Sequence, residues 1–523
     1  MRPLDSEFST RDSRGTSTGM TRIPFPRVGP PEVPWTWHLH GDRPVTALQR
    51  LFLWGMIGLA LFGRPRQTWP QEAARPFYVG PKGSDRSGNG TLQRPWASLV
   101  HATDSMPDAG AELVFLDGTY GPQSLRRAFT RPLVIRAQHP YQVRWMSTPS
   151  HHRVLHIEGA KEVTLSGFEM RGTPGGNDDY LIQITGGETG SILLHDNIIH
   201  DSYKNDIVKI NARAHHIRLL GNLFYNQPRG GDEHLDVNTV HDVMIEDNVF
   251  FNDYKASGRP VLNITHPFVL IKNSGDQPIS RNFLVRGNIF LNWQGRPDEG
   301  FLMIGEDAKP FFEAENVLIE NNLFLGNSRN GISAVFTVSG VKDVKFRSNT
   351  IHGNLPLGSD DWAFAMRLTR YGPNPKNVNI LFANNIWSDP TGTMTHLSSG
   401  RPENSTGVSL FNCLYYNGGR PIPVDRGRVL NVTDDPRAIV KDPRLPASLR
   451  SVMPPSWNPT AHRFADGSAT IGEVRKSLVV SFGTPPDGSP VIDAADPGEM
   501  PKSDILRRPR GTSPDIGAVE VRP

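Results

Sequence analysis

Residues 230–238 read GGDEHLDVN, which sets Asp232, Glu233 and Asp236 within five positions in a stretch otherwise rich in Asn, Gly and β-branched residues. Like charges within about 4–6 Å of one another disfavour ionisation unless a cation or several donors offset them. Carboxylates this close suit two chemistries: holding a divalent cation, or serving as a general acid and base on one substrate. The donors are all oxygen, the single Cys413 excludes a cysteine-built metal site, and no His pair stands at zinc-protease spacing. Ca²⁺ is therefore the expected ion.

The elements that must position these acids are read from an internal repeat. The segments ILLHDNIIHD (192–201), IRLLGNLFYN (217–226), VMIEDNVFFN (243–252), FLVRGNIFLN (283–292), VLIENNLFLG (317–326), VKFRSNTIHG (344–353) and ILFANNIWSD (380–389) share one template, apolar-x-apolar-x-x-Asn-apolar-apolar. Its anchors Asn197, Asn222, Asn248, Asn288, Asn322, Asn349 and Asn385 are separated by 25, 26, 40, 34, 27 and 36 residues. A minimum period near 25 with insertions describes one structural unit per coil, extra residues being looped out. Alternating Val, Ile and Leu put one face of each strand inward, and Asn at a fixed place suits a bend where its side chain satisfies backbone groups. Stacked coils would align these Asn residues in a ladder about 4.8 Å apart. Neither leucine-rich-repeat spacing nor a helical period of 3.6 is found. The fold class is thus all-β, a right-handed parallel β-helix built as a single solenoid over residues 77–440.

On this scaffold VKIN (208–211) lies over LDVN (235–238), each a fixed distance before the next Asn anchor. Val208, Ile210, Leu235 and Val237 then face inward, and Lys209 and Asp236 outward on neighbouring coils. Asp232 and Glu233 fall in the preceding bend, with Asp206 in the bend one coil earlier. The expected Ca²⁺ ligands are Asp206, Asp232, Glu233 and Asp236. The bland reading of the same residues is an exposed salt-bridge column of Lys209, Asp236 and Lys272, worth under about 1 kcal/mol per pair.

This pattern resembles the pectate lyases of polysaccharide lyase family 9 over roughly residues 195–290. In that family an Asp of one coil, two adjacent acids of the next and an Asp three positions later hold Ca²⁺, and a lysine on the following coil is the base. Asp206 matches the first position, Asp232 and Glu233 the pair, and Asp236 the third, although the family more usually has Asp where Glu233 stands. Lys272 in FVLIKN matches the lysine, in a context without the family's Gly-aromatic surroundings. The resemblance implies β-elimination on a uronic-acid polysaccharide, with Ca²⁺ acidifying the C5 proton and Lys272, its pKa lowered by the cation and by partial desolvation, removing it. Arg229 and Arg259 flank the acids and are candidates for bidentate binding of a uronate carboxylate. His234 shares the parity of Asp232 and Asp236 and is a third substrate-binding candidate. His195, His200, His215, His216 and His241 read as solvated turn residues.

The rest of the chain sets the context. With 523 residues, 37% hydrophobic and 21% charged, it can bury a large core, and Gly 50 with Pro 45 favours short strands and turns. A net charge of +3 without Lys/Arg blocks and interleaved aromatics gives no nucleic-acid surface. Residues 1–44 read as unstructured or as a mis-assigned start, with Met20 or Val45 as alternatives. Within 45–76, LQRLFLWGMIGLALF (48–62) has the length of a signal-peptide core, or of an uncleaved anchor, so export to periplasm or cell surface is expected. FYVGPKGSDRSGNGTLQRPWASLVHA, starting at Phe77, resembles the N-terminal motif of secreted parallel β-helix proteins. The Pro-rich 441–523, ending in DIGAVEV, resembles their closing segments and is expected to pack on the helix or cap its last coils; Asp493, Asp515 and Glu520 read as structural. The expected partner is an acidic polysaccharide, met by a monomer with no membrane contact beyond an N-terminal anchor. A hydrolase or epimerase using Asp232 and Asp236, and a non-catalytic adhesive β-helix, stay open beside the lyase.

Overall fold

Every coil turns on one local event, a left-handed residue just before the repeated Asn. Asp196, Asp247, Asn321, Ser348 and Asn384 take φ of 52°, 56°, 54°, 52° and 53°, and Gly221 and Gly287 take 66° and 71°. This region is open to Gly and, at smaller cost than for other residues, to Asn and Asp. The triplets HDN, LGN, EDN, RGN, ENN, RSN and ANN are therefore sharp bends written in sequence.

The Asn that follows locks one coil to the next. Asn222 donates its backbone N–H and its Nδ2 to Asn248 Oδ1 (2.9 and 3.1 Å) and a second Nδ2 hydrogen to the Leu194 carbonyl (2.9 Å). The same pattern joins Asn248 to Asn288, Asn288 to Asn322, Asn322 to Asn349 and Asn349 to Asn385. Cys413 stands on the next rung, where Asn385 Nδ2 meets its sulfur at 3.8 Å. Asp435 then closes the ladder by accepting the N–H groups of Asn412 and Cys413.

The computed structural model describes residues 76–521 apart from 109, 151–152, 176–179, 229–231, 260–265, 296–298, 328–330, 355–362, 426 and 450–451. The expectations for residues 1–44, for the apolar segment at 48–62 and for Arg229 lie outside the described residues. No helix among the described residues is long and apolar enough to cross a membrane. Among them, two 12-stranded sheets and one 10-stranded sheet are parallel throughout, each strand pairing with its counterpart one coil on. The first runs from Phe77–Val79 to Ser405–Phe411, the second from Gln123–Leu125 to Ser398–Ser399, and the third from Gly118–Tyr120 to Ile439–Val440. This is the expected right-handed parallel β-helix. Its interior is filled by the inward Val, Ile and Leu of each strand and by stacked rings of Phe224, Phe250, Phe290 and Phe324, 5.1, 4.9 and 4.7 Å apart.

The C-terminal segment packs on the β-helix along the flank of the third sheet, and its far part reaches the last coils, where Val491 and Ile516 pack with Ile386 and Leu414. The hairpin Trp457–Asn458/Arg463–Phe464 meets Tyr141 near the start of the solenoid, with Tyr141 and Trp457 4.8 Å apart. The helix Ile471–Leu478 brings Arg475 to Asp247 at 2.9 Å, and Asp496 accepts from Asn384 near the far end. Beneath it lie Ile198, Leu223, Val249, Ile289 and Leu323, the first apolar residue after each Asn. Because the second apolar residue fills the core, both faces of these strands are buried, which is why the template carries an apolar pair where an exposed face would alternate. Asp515 and Glu520 spend their carboxylates on Asp493, Val521, Gly511 and Arg510 within the segment, and so are structural as read.

Asn288 is fully buried, with its amide bonded to both neighbouring rungs and to the Ile245 carbonyl. Asn288→Ala leaves the Asn248 N–H and amide without their acceptor, so it should cost about 2–4 kcal/mol. The urea midpoint of the purified variant checks this; a loss under about 0.5 kcal/mol would mean the ladder is incidental to stability.

Candidate functional site

Four consecutive strands of the second sheet carry the candidate residues: Val208–Asn211, Leu235–Asn238, Val269–Lys272 and Leu302–Ile304. Lys209 pairs with Asp236 in register, as the template implied. Asp236 in turn pairs with Leu270, and Lys272 with Asn238. Lys272 is therefore one outward position further along its strand than Asp236, and its amine reaches back diagonally to 4.0 Å from Asp236 Oδ2. The column Lys209, Asp236, Lys272 does not form as a surface feature: the side chains are 13%, 4% and 14% exposed.

Three of the four predicted acids converge. Oxygens of Asp206, Glu233 and Asp236, all buried, lie within 4.8 Å of one another. Asp206 also accepts the Glu233 backbone N–H at 3.0 Å, which fixes the bend of one coil over that of the next. Asp232, half-buried, belongs to no such group, so the four do not make one shell. Burial, followed by the charge of Asp206, pushes Asp232 and Asp236 up to about 6 and Glu233 well above the carboxylate range. Lys209 bonds Asp236 Oδ2 and lies 3.6 Å from Asp206. Asp236 Oδ1 is buried with no hydrogen-bond partner among the described residues. An orphaned carboxylate oxygen inside an all-oxygen triad fits a hard divalent cation.

Lys272 is held by acids that sequence reading missed. Its amine is 2.6 Å from Glu306 Oε2 and 3.4 Å from Asp307 Oδ1. Burial works against its charge, but Asp236, Glu306 and Asp307 more than offset this and raise its pKa. The expected lowering is thus corrected for the metal-free chain, and Lys272 is no exposed lysine. The Glu306–Lys309 turn is pinned from behind by buried Glu313, whose carboxylate accepts the N–H groups of Glu306 and Asp307 (both 2.9 Å) and of Lys309 (3.4 Å). Gly305, at φ 82°, makes the turn where a Cβ would sit 1.8 Å from the Ser339 carbonyl oxygen.

No family model and no curated protein matches the sequence. Solved structures similar to it include pectate lyase Pel9A, at 12% identity and TM-score 0.44, over 87% of this chain and 98% of that one. GH136 lacto-N-biosidase from Eubacterium ramulus is similar at 12% and 0.46 over 75% and 69%. The PL6 family alginate lyase AlyGC is similar at 13% and 0.41 over 68% and 53%.

The structure redirects both described substrate-binding candidates. His234 is fully buried, stacked 4.4 Å from Phe268, with Nε2 on Asn252 Oδ1, and burial lowers its pKa to about 3. The bend at this position breaks strand parity, so His234 joins the inward series Val154, Leu181, Ile207, Phe268 and Phe301, each standing one residue before its strand. That series was legible in the sequence. Arg259 lies between the rings of Tyr203 (4.8 Å) and Tyr254 (4.9 Å) and donates to the Asn226 and Gln227 carbonyls, so it clamps its own loop. Tyr254 and Trp293, aromatic residues of the same connections, are buried as well. His200, read as solvated, is buried between Asp201 (2.8 Å) and Glu169 (3.3 Å); burial opposes its charge, but the two carboxylates raise its pKa.

The raised Asp232 sets a pH sign. A carboxyl that binds its proton more tightly folded than unfolded contributes stability below the unfolded value and loses it as pH rises through about 6. In chelator, Asp232→Asn should melt with the parent at about pH 4 and increasingly above it up to about pH 6, with the gap levelling off beyond. Thermal melts across that range check it, and a constant offset would place the Asp232 shift elsewhere.

Proposed function

We propose that the chain is a polysaccharide-active β-helix enzyme that cleaves a uronic-acid polymer by Ca²⁺-dependent β-elimination. The observation carrying this is the buried triad Asp206, Glu233 and Asp236, whose Asp236 Oδ1 is orphaned and whose Asp236 Oδ2 lies 4.0 Å from the Lys272 amine. Asp206, Glu233 and Asp236 would hold the ion, with Asp232 at hand from the same bend. When bound, Ca²⁺ supplies positive charge that balances the triad, draws a substrate carboxylate and weakens the hold of Asp236 on the Lys272 proton. Lys272 Nζ, deprotonated, takes the proton from C5; the C4–O bond breaks, a C4=C5 double bond forms, and the departing oxygen is protonated from solvent. Glu306 and Asp307 orient the amine by the contacts described above. Lys209, bonded to Asp236, holds that carboxylate in place. The resemblance to family 9 pectate lyases supports the same roles, and export, with the polymer met outside the cell, belongs to this reading.

A second reading has its own observation. Asp232 and Asp236 both keep protons up to about 6, which suits an acid and base that hydrolyse a glycosidic bond.

One panel of uronans, with Ca²⁺ and with chelator, separates the two. Elimination gives an unsaturated product that absorbs in the ultraviolet, whereas hydrolysis gives reducing ends alone. Lys272→Ala should lower the elimination rate by about 10²–10⁴-fold while Ca²⁺ still binds by calorimetry; Asp236→Ala should weaken that binding. Full activity in Lys272→Ala removes the lysine base, and reducing ends without ultraviolet absorbance favour the hydrolase.

A further inference from the structure

Beside the oxygen triad stands a second convergence of donors, and its chemistry differs. Glu233 Oε1 is 3.3 Å from His266 Nδ1, which is 4.0 Å from Glu306 Oε1, and the three donors lie within 4.8 Å of one another. We infer that Glu233, His266 and Glu306 form a binding site for a first-row divalent transition-metal ion such as Zn²⁺, adjoining the hard-cation triad and sharing Glu233 with it.

The geometry favours this over a plain ion pair. A proton on Nδ1 serves one acceptor along its own direction, yet this nitrogen faces oxygens of two carboxylates from different coils. Three donors about 2.0–2.2 Å from one ion at tetrahedral angles would lie roughly 3.3–3.6 Å apart; the Glu233–His266 separation of 3.3 Å meets this, and the Glu306 side chain, at 4.0 Å, would close by a few tenths of an ångström. An imidazole nitrogen moves preference from Ca²⁺ towards Zn²⁺ and its neighbours in the series, which accept mixed nitrogen and oxygen donors. The two sets share buried Glu233, and in the adjoining triad Asp236 Oδ1, itself buried, has no hydrogen-bond partner among the described residues.

The surroundings hold each donor as outer-shell partners of a metal do. Glu306 gives Oε2 to Lys272 while Oε1 faces His266. Its backbone is fixed by Glu313 through the N–H groups of Glu306 and Asp307. The His266 carbonyl accepts Gln227 Nε2 at 2.8 Å, tying it to the coil of Glu233. The Glu233 N–H is held by Asp206. Two cations bridged by one carboxylate are a recurrent arrangement in hydrolytic and transfer enzymes, but the inference concerns binding and stands whether or not the chain cleaves a polymer.

The test uses the full purified chain, stripped with chelator and titrated separately with Zn²⁺, Co²⁺ and Ca²⁺. Zn²⁺ should bind with one equivalent, and Co²⁺ should give ligand-field absorption typical of low coordination with nitrogen and oxygen donors. His266→Ala should weaken Zn²⁺ by more than the roughly 10–100-fold that an outer-shell partner commands and abolish the Co²⁺ bands, with Ca²⁺ affinity kept. Asp206→Asn should do the reverse. Since His215, His216 and His241 cluster elsewhere on the surface, His241→Ala serves as control and should change neither ion. The site is overturned if Zn²⁺ binds His266→Ala as it binds the parent, if binding is lost in His241→Ala instead, or if no stoichiometric Zn²⁺ binding occurs. Loss of turnover with these titrations intact would count against the lyase alone, and absence of Zn²⁺ with Ca²⁺-dependent turnover intact against the second site alone.

Discussion

The Asn ladder is the constraint on which the rest of the molecule depends. Each rung commits a backbone N–H and a side-chain amide of one coil to a single oxygen of the next, inside the core where an unmade bond costs most. Because the rung is fixed, the coils keep register whatever lies between them: steps of 40 and 34 residues are absorbed without displacing Asn288 or Asn322 from line. Insertions can therefore grow on one side while strands on the other stay superposed. Asp206 and Glu306, three coils and a hundred residues apart, are both brought to Glu233 on that account.

Stacking has a cost, since a charge on one coil meets the same sheet position of the next about 4.8 Å away. On the first sheet the chain meets this by alternation. Glu246 is bonded by Arg218 at 2.6 Å and Arg286 at 2.5 Å, and Glu320 by Arg347 at 2.9 Å. At the candidate site alternation fails: Asp206, Glu233 and Asp236 gather against Lys209, Lys272 and His266, and burial with mutual repulsion raises the pKa of Glu233 and Asp236 above the usual carboxylate range. Other buried acids of the solenoid are satisfied by arginine, as Glu246 and Glu320 are, or by N–H donors, as Glu313 and Asp435 are. Here three acids share one patch, and Asp236 Oδ1 has no hydrogen-bond partner among the described residues, so charge at this place is offset less completely than along the first sheet.

Much of this was legible in the amino-acid sequence and some was not, for separable reasons. Spacing gave the coil, the ladder and the pairing of Lys209 with Asp236, because all three follow from period. Strand parity was carried one residue too far at His234, where the bend resets which side chains face inward. The slip of Lys272 along its strand came from counting through a coil lengthened by insertion, in which the place of the strand cannot be taken from the Asn alone. The flank position of the C-terminal segment was written in the apolar pair after each Asn, since an exposed third sheet would have alternated. His266, Glu306 and Glu313 carry no local signal. They sit beside strands, in connections that obey no repeat, and only three-dimensional superposition sets them around Glu233 and Lys272.

The longest interval between rungs, from Asn248 to Asn288, shows how this scaffold gains chemistry. Its loop is tied at the near end by Arg259, gripped between Tyr203 and Tyr254 and bonded to the carbonyls of Asn226 and Gln227. At the far end it is tied by Gln227 to the His266 carbonyl. Asn226 and Gln227 thus receive both ends: the residues just after the Asn222 coil's third-sheet strand serve as the seat for the next coil's insertion. Arg259, taken from sequence as a ligand for substrate carboxylates, is better placed to keep His266 against Glu233. A charged residue near a site can act by fixing the chain that bears the reacting group, and here a guanidinium bonded to two carbonyls, set between two rings and 3.7 Å from Asp201 is held against its own scaffold, which decides between the roles.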